Sequence, residues 1–75
     1  MATNYDDVGY EVTDGIATIT MDRPEVYNAF TGDTVLEVTD AVRTAEEDPD
    51  VYVMVLTGAG KGFCSGADTT AMPDW

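Results

Sequence analysis

A small α/β fold, made of an N-terminal β-hairpin, a crossover helix and a buried parallel strand, is predicted by three observations. Asp14-Gly15 separates two β-rich runs, Thr31 to Ala45 carries apolar residues at helical spacing, and Val51 to Leu56 is an uncharged run rich in valine. Seventy-five residues allow one domain, so residues 1–75 are read as a single segment.

In the first run, Val8, Tyr10 and Val12 alternate with polar neighbours. In the second, Ile16, Thr18 and Thr20 alternate with Ala17, Ile19 and Met21. Asp14-Gly15 favours a two-residue hairpin turn, which makes the pair antiparallel with one apolar face. Pro24 then removes a backbone donor and biases Arg23 towards extended geometry, so Asp22-Arg23-Pro24-Glu25 breaks the strand after Met21 and Val26 to Phe30 is irregular or a single turn. Thr31 suits an N-cap, and Asp33 places negative charge in the first turn of the helix that follows. Val35, Val38, Ala41, Val42 and Ala45 form its apolar stripe, with Glu37, Asp40, Arg43 and Glu46 elsewhere. Glu46-Glu47-Asp48 sits poorly at a helix C-terminus, where cations are preferred, and Pro49 ends the run.

Val51 to Leu56 has no charge to place in water, which suits a strand covered on both faces. Strand, helix and strand make a βαβ unit with parallel strands and a right-handed connection. One helix covers one face of the sheet, so the cover that Val51 to Leu56 asks for on its other face is missing. A chain of this size buries only about 60% of the surface its unfolded form exposes, and its core is correspondingly small.

Fifteen Asp and Glu against three Lys and Arg give a formal charge of -12. That balance opposes binding to nucleic acid or to an anionic membrane surface. The acids are spread along the chain, a composition like that of proteins from a high-salt cytoplasm. The self-repulsion is screened over about 30 Å at 0.01 M salt but about 3 Å at 1 M. The fold is therefore expected to gain order as salt rises, measured by far-UV circular dichroism across that range; a spectrum indifferent to salt contradicts this reading. Cys64 is the only cysteine and there is no histidine, so the chain has no internal disulfide and too few soft ligands for zinc. With no basic start, apolar h-region or run of about 20 apolar residues, the sequence predicts a soluble, cytoplasmic protein.

Gly58, Gly60, Gly62 and Gly66 crowd into nine residues directly after the last strand, and Asp68, Thr69 and Thr70 are suited to open a helix. Glycines allow close backbone approach, and free amides at a positive helix end hold an oxyanion. A tight strand-to-helix connection without a ligand is the plainer reading. Two phosphate-loop readings fail: the Walker pattern needs a glycine at Val55 and Ser or Thr at Gly62, and the dinucleotide fingerprint needs a glycine at Phe63. Ser65 and Cys64 have no histidine to activate them. Lys61 reads as a solvated loop lysine, Cys64 as a small hydrophobe, and Asp22 and Arg23 as loop-structuring residues. No carboxylate pair stands out as an acid and base couple.

Three stretches, in order, resemble the crotonase superfamily, the enoyl-CoA hydratase/isomerase family. They are Ile19-Thr20-Met21-Asp22-Arg23-Pro24-Glu25-Val26-Tyr27-Asn28-Ala29-Phe30, then Asp48-Pro49-Asp50-Val51, then Leu56-Thr57-Gly58-Ala59-Gly60-Lys61-Gly62-Phe63-Cys64-Ser65-Gly66-Ala67-Asp68. The resemblance covers nearly everything from Gly15 to Met72 and implies the N-terminal portion of a ββα-type crotonase-like fold. It implies a coenzyme A thioester as substrate, no tightly bound cofactor and no metal. The thioester carbonyl would be held by two backbone amides, the first being that of Ala67. Ser65, Gly66, Ala67, Asp68, Thr69 and Thr70 would contact CoA, with Val26 and Tyr27 lining its path. Many relatives carry a basic residue near that path; Glu25-Val26-Tyr27 has none, which leaves Lys61 as an alternative cation beside its plainer reading as a solvated loop lysine.

The family's second oxyanion amide and its catalytic glutamates match nothing in this sequence, so little activity is expected of these residues alone. The preferred reading is an N-terminal piece of an enoyl-CoA hydratase-like enzyme carrying part of the acyl-CoA site. Its expected partner is the remainder of that fold. The alternatives are a non-catalytic CoA-binding module and an oligomerisation module that buries its open sheet face.

Overall fold

The computed structural model describes residues 5–66. Two strands, β1 (Val8–Thr13) and β2 (Ile16–Met21), are followed by a 3-10 turn at Pro24–Val26, the helix α1 (Gly32–Glu47) and a third strand, β3 (Val53–Gly58). The sheet order is β1-β2-β3, with β1 antiparallel and β3 parallel to β2. This is the predicted α/β arrangement of hairpin, crossover helix and parallel strand.

The hairpin register runs from Val8 opposite Met21 to Thr13 opposite Ile16. Asp14 and Gly15 both have positive φ, 54° and 80°, which a two-residue turn of this hand requires. Thr31 caps α1 as expected: its hydroxyl accepts from the Thr34 amide at 3.3 Å, and the Thr31 amide donates to Thr34 Oγ1 at 3.1 Å. Helix α1 ends at Glu47 with no basic residue in its last turn. Asp48 finds a different use, accepting from the Asp50 amide at 2.8 Å in the turn that leads to β3.

Because side chains alternate along strands, Val8, Tyr10 and Val12 share a face with Ala17, Ile19 and Met21, and with Met54 and Leu56. Helix α1 lies over the β1 and β2 part of that face, and the core gathers there around Val8, Ile19 and Ala41, flanked by Tyr5, Tyr10 and Val38. The Tyr10 hydroxyl is buried with no hydrogen-bond partner among the described residues. Burial raises its pKa, and the charge of Asp48 adds to the shift.

Three expectations are corrected. The third strand begins at Val53 and ends at Gly58, two residues later than Val51 to Leu56. It pairs along the whole of β2, Ile16 with Val53 through Met21 with Gly58, so residues 51 and 52 lie beyond the end of their partner. Nor is this strand buried: Val53, Met54, Val55 and Leu56 are all exposed, Leu56 by 48%. Its sequence suits an interior position, but α1 covers β1 and β2, and β3 stands at the sheet edge. On the helix, Thr34, Ala41 and Ala45 are buried, whereas Val35 and Val42 from the predicted stripe are exposed. The buried stripe is rotated because α1 sits towards the hairpin, which turns Val35 towards the uncovered β3 side.

Candidate functional site

Two segments far apart in sequence, 22–30 and 58–66, are laced together at the C-terminal ends of β2 and β3. At one end the Ala59 amide donates to Met21 O at 2.8 Å, extending the parallel pairing past the strands. At the other, the Ser65 amide donates to Tyr27 O at 3.0 Å and the Phe30 amide donates to Gly66 O at 2.9 Å. The Ser65 hydroxyl lies 3.4 Å from Val26 O. Val26, Tyr27, Ser65 and Gly66, which the sequence places in two separate motifs, thus form one surface, with Val26, Tyr27 and Ser65 exposed. Ala67, Asp68, Thr69 and Thr70 lie outside the described residues.

The loop is tight where it leaves β3. A Cβ on Gly58 would collide with the carbonyl oxygens of Gly62 and Phe63 and lie 2.7 Å from Phe63 Cα. Glycine is therefore required there for space rather than for an unusual φ. The facing segment holds two consecutive non-glycine residues in the left-handed region, Tyr27 at φ 53° and Asn28 at φ 59°. Asparagine tolerates this conformation, whereas for tyrosine it costs on the order of 1–3 kcal/mol, strain of the kind that collects where a surface is shaped for a ligand.

Asn28 is the residue that sequence reasoning passed over. Its side chain is fully buried, at 0% exposure. Its Oδ1 accepts from the Arg23 amide at 2.7 Å, and its Nδ2 donates to Ala59 O at 2.9 Å and to Gly62 O at 2.8 Å. The available signal was an asparagine flanked by apolar residues in a stretch with no regular structure. Arg23 acts in the same segment: its guanidinium donates to Ala29 O and lies 4.0 Å from Asp7, which also accepts from Thr34 Oγ1 at 2.8 Å. The loop-structuring reading of Arg23 agrees with these contacts.

Beside this surface, an apolar groove of about 220 Å³ runs between α1 and β3, lined among others by Phe30, Val35, Val38, Leu56 and Phe63. Cys64 is half-buried at its rim. Among the described residues no cluster of acidic or cysteine side chains is arranged to hold a metal, and no helix is long and apolar enough to cross a membrane.

Among the described residues the site offers shaped backbone and no paired acid and base. Comparison with known proteins identifies the family. Residues 11–74 match the family model described as enoyl-CoA hydratase/isomerase. A probable enoyl-CoA hydratase of Mycobacterium tuberculosis is 44% identical over 68 residues, which span 91% of this chain and 27% of that protein. An enoyl-CoA hydratase/isomerase from Xanthobacter autotrophicus superposes with a TM-score of 0.90 at 37% identity, over 95% of this chain and 26% of the other. An enoyl-CoA hydratase from Mycobacterium smegmatis does so with a TM-score of 0.84 at 48% identity, over 88% and 23%. The chain spans about a quarter of the length of these relatives. The matched motifs, the shared backbone and the extent of the match together mean that this chain belongs to the enoyl-CoA hydratase/isomerase family of the crotonase superfamily.

Proposed function

We propose that the surface formed by Val26, Tyr27, Ser65 and Gly66, continued by Ala67, Asp68, Thr69 and Thr70, is one wall of an acyl-CoA site. In this reading the Ala67 amide donates to the thioester oxygen and stabilises the negative charge that develops there as an enolate forms. A fixed backbone donor suits that task because it is already oriented when the charge appears, and loss of one such donor costs about 2.7–4 kcal/mol of transition-state stabilisation. The observation that carries the proposal is the lacing of Ser65 to Tyr27 and of Gly66 to Phe30, which brings both proposed CoA-contacting segments onto one surface.

Hydration or isomerisation of an enoyl-CoA also needs a general acid and base, and no residue here is assigned either role. The chain is therefore proposed to contribute binding and half of the oxyanion hole, with turnover supplied by further polypeptide of the same fold. Calorimetric titration with crotonyl-CoA tests this. Saturable binding, displaced by free CoA and accompanied by negligible hydration, is the expected result; absence of binding at millimolar ligand rejects the acyl-CoA reading. The exposed, uncharged β3 favours a second reading, an interaction module. A discrete oligomer without affinity for crotonyl-CoA selects that one.

A further inference from the structure

Asn28 sits at the junction of the two segments that form the proposed wall, and its side chain contacts backbone alone in every hydrogen bond it makes. A primary amide has two donors. Both are spent on the 59–62 turn, one on Ala59 O and one on Gly62 O. Buried donors left without a partner are costly, so the Asn28 amide, at 0% exposure, holds on to these two carbonyls. The constraint acts between the fixed exit of β3, where Gly58 admits no side chain, and the pinned end at Ser65 and Gly66.

We propose that Asn28 is a positioning residue for the acyl-CoA wall: by gripping the carbonyls of Ala59 and Gly62, it sets the loop that leads to the Ala67 amide and keeps two electronegative oxygens off the ligand side. This rests on the acyl-CoA reading above. A carbonyl oxygen facing the thioester would repel the same developing charge that the Ala67 amide stabilises. Thr34, the other fully buried polar side chain among the described residues, spends its hydroxyl on Asp7 and on the helix cap.

Asn28→Asp is the discriminating variant. It keeps shape and the acceptor for the Arg23 amide, but replaces the donating nitrogen with an oxygen facing two carbonyl oxygens. Three readouts apply to the whole chain: crotonyl-CoA affinity, amide exchange of residues 59–66 against that of β2, and the infrared carbonyl stretch of bound 13C-labelled thioester. Expected are an affinity about tenfold weaker or more and loop exchange faster by a similar factor, with β2 amides unchanged. At saturating ligand the carbonyl stretch moves back towards its free-solution frequency, which a merely structural role would not produce. Lowering the pH restores part of the affinity, because the protonated carboxyl regains one donor.

If Asn28→Asp does not fold, Asn28→Ala removes the donors without adding repulsion and is expected to change the three readouts in the same direction. Unaltered affinity, loop exchange and carbonyl stretch in a folded variant, beside a wild-type chain that binds, overturn the positioning role alone. A wild-type chain that binds no crotonyl-CoA overturns the acyl-CoA reading and this role with it.

Discussion

Gly58→Ala is expected to open the loop and abolish crotonyl-CoA binding, while Gly62→Ala, four residues on, leaves both intact. The difference is one of space. At Gly58 the added methyl meets the carbonyl oxygens of Gly62 and Phe63 and the Phe63 Cα, all backbone atoms that have no rotamer to change. At Gly62 no other described residue lies within 4 Å of where the Cβ would stand. Overpacking of this kind costs about 1–3 kcal/mol and sometimes more, and relief requires 59–63 to peel away from the end of β3. That movement pulls Ala59 O and Gly62 O off Asn28, so the site loses its shape together with stability. Thermal melts and ligand titration of the two variants decide the matter: equal behaviour would show that the loop is softer than its packing implies.

Ile19→Ala carries the largest expected loss of stability, about 2–5 kcal/mol. Ile19 is 1% exposed and stands at the centre of the cluster with Val8 and Ala41. A 75-residue chain has about 4–11 kcal/mol of total stability, so this substitution removes a large share of it and, at the lower end of that range, leaves much of the chain unfolded at 25 °C. Leu56→Ala removes a side chain of the same size from the neighbouring strand on the same sheet face, but there it is already 48% exposed, and the loss is expected to be less than half as large. Urea unfolding with a common slope compares the two. Equal midpoints for both variants would mean that β3 is buried in solution, by association or otherwise.

The two segments that meet at the candidate site were legible before their geometry. The motif that begins at Leu56 located the loop over the described residues 58–66, and the one around Asn28 located its partner segment, because tight backbone turns restrict which residues are allowed at each place. What ordering along a chain cannot convey is which carbonyl an asparagine grips. Asn28 lies 31 residues from Ala59 and 34 from Gly62. No periodicity links such positions, since they meet only after β2 and β3 pair in parallel. Thr34 was missed for a related reason. The helical stripe identifies which residues are apolar, but a threonine that caps a helix and hydrogen-bonds Asp7 is buried for its partners rather than for its hydrophobicity.

By itself the sequence determined the hairpin and its turn, the cap at Thr31, the end of the helix before Pro49, and the parallel crossover to a third strand. Each of these follows from local chemistry: Asp14-Gly15 accepts positive φ, a threonine hydroxyl satisfies a free amide, and proline cannot continue a helix. The tertiary structure alone decided that β3 is shifted by two residues and exposed, that α1 buries Thr34 in place of Val35, and that Asn28 clasps the glycine loop. Burial and register are properties of neighbours. An uncharged strand records what covering it is suited to, but only the placement of α1 over β1 and β2 settles which covering it receives.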